Sequence, residues 1–370
     1  MAAIFIFGTL CHPPLFEVVA GCPLESRPAR LPGRRVVWVA GKSWPMLTEG
    51  DGADGVLIDV SDDILARLES YEACFGYHLT DITVETGDGP VAAHGWSPTD
   101  AQGDPGAPWS LADWAAEWGA LTTLAAVEAM RQLETYPPSE VGHRFGILRS
   151  RAQSYLSASQ WQRPTRVGRG ATRADIRVEA HARPYEKFFG VEEIEARFRQ
   201  FDGTWSAPVD RAVFRVADAV TVLPYDPVRD RILLIEQVRF GALAQGDAAP
   251  WLLEPIAGMI DGGETPEATA RREAEEEARV TLGALHFVSR YYPSPGGVAQ
   301  VLFSYVAEAD LPDNIAGIAG EAHEGEDIQS HLVSFDEAMT LLETGDMANA
   351  PLILSFQWLM MHRNRLRASA

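Results

Sequence analysis

Residues 258–280, GMIDGGETPEATARREAEEEARV, place seven acidic side chains in twenty-three positions. Thr265 suits a helix N-cap, Pro266 the first helical position, and Glu267 the first turn, where the helix dipole favours an anion. The spacing predicts a helix that begins there. At about 100° per residue, Glu276 and Glu277 lie within about 60° on either side of Glu273, so the three share a face while Glu275 points away. Carboxylates so placed repel one another and weaken the helix unless a counter-charge sits among them. A solvated acidic face is the ordinary reading of such a run. The chemical reading is a hard divalent cation; oxygen donors without nearby His or Cys select Mg²⁺ or Mn²⁺ over zinc.

Gly258, five residues, Glu264, seven residues, then Arg272-Glu273-Ala274-x-Glu276-Glu277-x-Arg279-Val280 resembles the Nudix box. It departs from that box at Arg279, where the family carries a glycine that ends the helix in a left-handed turn; a side chain there costs about 1 kcal/mol. The resemblance extends over roughly residues 172–365, through LPYDPVRDRILLIEQVRF, PWLLEPIAGMI, SPGG, EGEDI and ANAPLILSFQWL. It is to the bacterial ADP-ribose pyrophosphatases, the branch that also holds Nudix proteins named for tellurite resistance. Pro295, fifteen residues beyond Val280, matches the proline that marks ADP-ribose specificity there.

The resemblance implies an α/β/α sandwich and Mg²⁺-dependent hydrolysis of ADP-ribose to AMP and ribose 5-phosphate. By position it makes Glu273 and Glu277, with the carbonyl of Ala257, ligands of the metal, and Glu276 their support. Glu326 matches a further ligand and Glu324 the base that activates water. Arg211 and Arg239 match residues that hold the nucleotide sugar. Tyr185 and Phe188 match aromatic positions near the adenine, contributed across a homodimer. Hydrolysis of a pyrophosphate needs such parts: metal to neutralise phosphoryl oxygens, a carboxylate to take a proton from water, and guanidinium forks for phosphate. Apart from the resemblance, the arginines read as surface residues and Phe188 as core. NADH or a sugar nucleotide as substrate, or an ADP-ribose sensor without turnover, would use much the same residues.

FIFGTL, followed by LARLESYEACFGYHLT, resembles the γ-glutamylcyclotransferase-like (AIG2-like) family over roughly residues 1–100. That resemblance implies a mixed β-barrel and makes Glu72 the acid/base that takes a proton from the α-amine of a γ-glutamyl group, with the FGTL loop offering backbone N–H groups to the substrate carboxylate. Phe7 stands where the family usually has tyrosine, and LCHPP replaces its basic, glycine-containing continuation. The plain alternative makes strand and turn structural and Glu72 a helix-end carboxylate. A γ-glutamylcyclotransferase with a regulatory second half is a further alternative for the whole chain.

These motifs need elements to carry them. AIFIFGTL and GVLIDV predict strands and SDDILARLESYE a helix, an α+β pattern, and SLADWAAEWGALTTLAAVEAMRQLETY predicts a helical stretch. Periodicity lapses through SQWQRPTRVGRGATRADIRV, which places a boundary between domains 1–165 and 166–370. Beyond it, strands are expected in AVFRVADAVTVLPYD, RILLIEQVRF, PWLLEPIAGMI, VLFSYVAEAD and SHLVSF, with DPVRD as a turn and helices in SFDEAMTLLETG and APLILSFQWLMMHRNRL. Two domains are what 370 residues should form. Fifty-two acidic against 31 basic residues, a formal charge of −21, repel phosphate backbones and anionic membranes, so neither nucleic acid nor membrane is an expected partner. Three cysteines, Cys11, Cys22 and Cys74, without C-x-x-C spacing and without a leader-like start, point to the reducing cytoplasm.

Overall fold

Along Ala2–Ile6 alternate side chains part company: Ile4 and Ile6 join one buried cluster with Leu15, Phe16, Leu68 and Trp114, while Phe5 joins another with Leu57, Val84 and Ala93. A strand buried on both faces reads as a continuous apolar run, as AIFI does. The strand belongs to a closed five-stranded barrel in the order Ala2–Ile6, Ala53–Val60, Arg27–Leu31, Tyr77–Thr86, Gly89–Pro98. Parallel pairing of the last strand with the first closes it, Ile4 opposite His94 and Phe5 opposite Gly95. Pro45–Glu49, Arg34–Val39 and Pro105–Pro108 form a small second sheet. Helices Ala120–Gln132, Pro138–His143 and Phe145–Gln160 follow, around a core of Leu121, Ala125, Ala129, Val141, Leu148 and Ala152.

This computed structural model describes residues 1–320 and 325–369. The barrel and its helices make one compact unit, Met1–Leu156, and Ser157–Ala370 makes a second.

In the second unit an eight-stranded mixed sheet is sandwiched between helices. Its main path runs Leu282–Tyr291, Leu302–Ala309, Ala219–Asp226, Arg231–Val238, Ile328–Ser334, Ile318–Ala319, with Trp251–Glu254 and Ile256–Met259 paired onto the middle strands. Alternation sorts the two faces. Leu233 and Ile235 pack toward the helix Pro266–Ala278, whereas Ile232 and Leu234 pack toward Phe335–Thr344 and Ala350–Ala368. The acidic helix approaches closely because the apolar side chains it buries are small, Ala270, Ala274 and Ala278. DPVRD makes the expected turn, with Asp226 Oδ1 accepting from the amides of Val228 and Arg229 at 2.9 Å each. A separate four-stranded sheet carries Ile176–Glu186, Gly190–Phe198, Val209–Arg215 and Val298–Ala299. Among the described residues no helix is long and apolar enough to cross a membrane.

Candidate active sites

The acidic helix starts where its sequence places it: the Thr265 hydroxyl accepts from the amide of Ala268 at 3.2 Å. It ends on Arg279 in the left-handed conformation, φ 55° and ψ 35°, with the amide of Val280 turned back to the carbonyl of Ala274 at 2.9 Å. The backbone thus adopts the turn that glycine would favour, with an arginine in it.

Glu273, Glu276 and Glu277 share a face and Glu275 is exposed. What holds the carboxylates together is Arg272. Its Nε and Nη2 donate to the two oxygens of Glu264 at 3.1 and 3.0 Å, and its Nη1 donates to Glu273 at 2.8 Å and Glu276 at 2.9 Å. Burial raises the Glu264 carboxyl, but bonds from Arg272 and Thr269 hold it below the usual range. Burial pushes Glu273 up to about 7 against the pull of Arg272, with Glu276 and Glu326 raising it further.

Glu277 is 2 % exposed. Burial pushes it up to about 8; the amide of Ala257, donating at 3.0 Å, and the charge of Arg239 oppose the shift, while Glu273 and Glu326 add to it. The strand edge Ala257–Gly258 lies directly against these groups, and a Cβ at Gly258 would overlap the Glu273 carboxylate. Glycine at the head of the motif thus leaves the Glu273 carboxylate room against the strand. Among the described residues the carboxylates do not close into a three-ligand cage. They do form an oxygen-only set whose negative charge Arg272 covers on one side, and such a set fits a hard divalent cation.

Arg239, at the N-cap of the short helix Phe240–Gln245, donates from Nε to Glu254 at 2.7 Å; Glu254 is 4 % exposed and also accepts from Asn349 at 2.8 Å. Its charge lowers the proton affinity of Glu277. Arg211, Tyr185, Phe188 and Pro295 lie elsewhere in the unit. Arg211 is exposed on Val209–Arg215 of the four-stranded sheet, and Tyr185 is exposed near the end of Ile176–Glu186. Phe188 is exposed just beyond that strand and meets Phe189 edge-on at 4.8 Å. Pro295 opens the turn leading into Val298–Ala299, which pairs with Val209–Arg215 through Phe214 opposite Val298. Glu324 lies outside the described residues.

In the first unit Glu72, near the end of the helix Asp62–Ala73, lines a cavity of about 440 Å³ together with Phe7 and Thr9 of FGTL. Burial pushes its carboxyl up to about 8. Tyr77, whose hydroxyl donates to Gln102 at 3.3 Å, and Tyr71 stand beside it.

Comparison with known proteins gives a NUDIX domain over residues 215–356 and a Gamma-glutamyl cyclotransferase, AIG2-like, domain over residues 4–116. The ADP-ribose pyrophosphatase of Escherichia coli K12 is 39 % identical over 193 residues, 52 % of this chain and 91 % of that protein. The chain belongs to the Nudix family. The ADP-ribose pyrophosphatase of Haemophilus influenzae is 36 % identical over 53 % of this chain and 90 % of its own length, and the GDP-mannose pyrophosphatase of Shigella flexneri serotype 5b is 31 % identical over 41 % and 78 %. As a Nudix chain it is a pyrophosphohydrolase by homology, preceded by an AIG2-like barrel.

Sequence reasoning on this Nudix unit overlooked two things. It sought the counter-charge for the glutamates outside the helix, whereas Arg272 inside the motif supplies part of it. It also left out Glu254 and Asn349, which fix Arg239; the signal was a lone glutamate in the apolar strand PWLLEP.

Proposed function

We propose that the Nudix unit hydrolyses ADP-ribose to AMP and ribose 5-phosphate with Mg²⁺, or Mn²⁺ in its place. One observation carries this reading: the charges of Glu273 and Glu326 raise the proton affinity of the buried Glu277, and those of Glu276 and Glu326 raise that of Glu273, so negative charge is crowded along one edge of the acidic helix. Glu273, Glu277, Glu326 and the carbonyl of Ala257 would hold the metal, with Glu276 and Arg272 supporting Glu273. When bound, the cation neutralises phosphoryl oxygens and lowers the pKa of water. Glu324 is the candidate base by resemblance. Arg239, locked by Glu254 and Asn349, presents a pre-oriented guanidinium to the phosphates. Arg211, Tyr185, Phe188 and Pro295 would complete the substrate site across a homodimer, for which the exposed aromatic side chains of the four-stranded sheet supply a face.

The choice of ADP-ribose rests on the two ADP-ribose pyrophosphatases and on Pro295. NADH or a sugar nucleotide is the rival, and the GDP-mannose relative keeps it in play. AMP release from ADP-ribose with Mg²⁺ is the test, beside NADH, GDP-mannose and a metal-free control. Metal-dependent AMP formation favouring ADP-ribose is expected; faster cleavage of GDP-mannose would overturn the substrate, and none at all the activity.

Glu72 facing a cavity that also holds the FGTL loop favours a second activity in the barrel unit. In its ionised form Glu72 would take a proton from the α-amine of a γ-glutamyl group; the freed amine attacks the γ-carbonyl, 5-oxoproline forms, and Glu72 returns the proton to the departing amine. Release of 5-oxoproline from a γ-glutamyl peptide, lost in Glu72→Gln, is expected; no release from the unaltered protein would sink this activity.

A further inference from the structure

The cavity of the first unit has a wall that the AIG2-like match does not reach. That match ends at residue 116, whereas Thr122, Gly142, Phe145, Gly146 and Arg149 line the cavity from the three helices that follow. The wall is fastened beside Glu72. A Cβ on Gly142 would overlap the carbonyl of Cys74, so only glycine allows the approach. Phe145 then packs edge-on against Phe75 and Tyr71, ring centroids 4.8 and 6.4 Å apart.

Two features of the lining look toward a ligand. The cavity holds one acid, Glu72, and one base, Arg149, whose guanidinium is set 5.0 Å from the Trp118 ring. Trp96, 6 % exposed, also lines it, and its indole N–H is buried with no hydrogen-bond partner among the described residues. A buried donor of this kind is destabilising until an acceptor arrives. Much of the rest is aromatic, including Trp44 and Trp114.

We propose that this cavity binds small organic anions carrying one carboxylate on an apolar, planar body, with Arg149 pairing the carboxylate and the Trp96 indole N–H donating to an acceptor of the ligand. The volume of about 440 Å³ is in the range of small-molecule sites. A guanidinium matches a carboxylate with two parallel bonds, and aromatic walls receive a flat apolar body. Glu72, pushed up to about 8 by burial, is mostly protonated at pH 7 and so does not repel the incoming anion. The proposal concerns binding through the helical wall and stands apart from whether Glu72 supports 5-oxoproline release.

Isothermal titration calorimetry of the full chain at pH 7 tests it with three probes: 3-phenylpropionate, its neutral amide, and acetate. The acid should bind at least about tenfold more tightly than the amide, as a charge-assisted pair in a screened site would give, and acetate should be weaker still. In Arg149→Gln the acid should fall to the affinity of the amide, and Arg149→Lys should recover part of the difference. Trp96→Phe should weaken the acid, while Glu277→Gln should leave it unchanged, which assigns the binding to the first unit. Equal binding of acid and amide by the unaltered protein, acetate as tight as 3-phenylpropionate, an acid preference that survives in Arg149→Gln, or no binding of either aromatic probe would overturn the proposal. Binding that persists without any 5-oxoproline release would leave it standing and remove only the catalytic reading.

Discussion

Replacing Arg272 with methionine keeps most of the side chain's length and removes its charge, leaving Glu264, Glu273 and Glu276 to face one another. Four charge-assisted contacts at 2.8–3.1 Å vanish. A fully buried pair broken in this way costs about 3–5 kcal/mol, whereas exposed pairs are worth about 0.2–1 kcal/mol. The Arg272 side chain is 32 % exposed, which places each of its three carboxylate partners near the upper end of the exposed range. Together they come to about 2–3 kcal/mol, or a fall of roughly 5–10 °C in the melting temperature of a unit this large. Differential scanning calorimetry of the full chain reads the shift, and hydrogen exchange in Pro266–Ala278 identifies the transition to which it belongs.

The pH dependence of the same variant follows from the shifts. Glu264 is depressed in the folded protein, so its contribution is present above its unfolded pKa near 4.5 and lost as pH falls through the folded value. Glu273 is raised to about 7 even with Arg272 beside it, so its ionisation opposes folding as pH rises above 4.5, and more so once the guanidinium is gone. Both effects widen the gap between the two proteins as pH increases. The variant should lose most at pH 8 and little near pH 4. An unchanged melting temperature at pH 8, or a gap indifferent to pH, would refute the role given to Arg272.

Glu277→Gln should remove at least about 99 % of ADP-ribose turnover by weakening metal binding, yet leave the melting temperature at pH 8 unchanged or higher, because the buried carboxylate raised to about 8 opposes folding when ionised; a clear drop in melting temperature would contradict this. Arg239→Ala should raise the Michaelis constant for ADP-ribose more than it lowers turnover, and should lower stability because Glu254 keeps only Asn349; unaltered kinetics would remove Arg239 from the substrate site. Arg279→Gly should stabilise by about 0.5–1 kcal/mol, the strain of a side chain in the left-handed turn less the small benefit of a cation at a helix C-terminus, read as a rise in melting temperature.

The acidic helix was legible because several signals agree there: the Thr265 cap, the proline and glutamate of the first turn, and the box. The sheet it packs on was legible because its strands are apolar on both faces. Other parts were hidden for identifiable reasons. Phe145–Gln160 carries no continuous apolar stripe, since Ser150 and Arg151 are themselves buried and Arg151 is paired with Glu128 inside the unit. Ile176–Glu186 leaves most of its side chains exposed and Gly190–Phe198 half-buries most of its own, so the alternation that marks a half-buried strand is weak in both. Tyr77–Thr86 and Gly89–Pro98 meet at a Gly-Asp-Gly hairpin in the sequence, but closing a barrel depends on the pairing of Ile4 with His94, ninety positions away. Arg272 was visible only as a letter of the box, because helical geometry shows which residues share a face and not how far a guanidinium reaches.

Glu72 and Glu277 show why a raised carboxyl pKa does not by itself name a function. Both are pushed to about 8, and in both burial is the largest cause. Around Glu277 the next causes that raise it are Glu273 and Glu326, so deprotonating it adds charge to a place already crowded with charge. The stable answer is a cation, and an arginine already provides part of it. Around Glu72 burial alone accounts for the shift, and Tyr71, Phe75, Tyr77 and Phe145 share its cavity. That environment favours a neutral acid able to donate or relay a single proton. The two proposals accordingly give the sites different ligands: multivalent metal with a pyrophosphate in one, and a small organic molecule with a single anionic end in the other. Metal chelation should abolish AMP release while leaving the binding of 3-phenylpropionate intact, and loss of both together would show that this division is wrong.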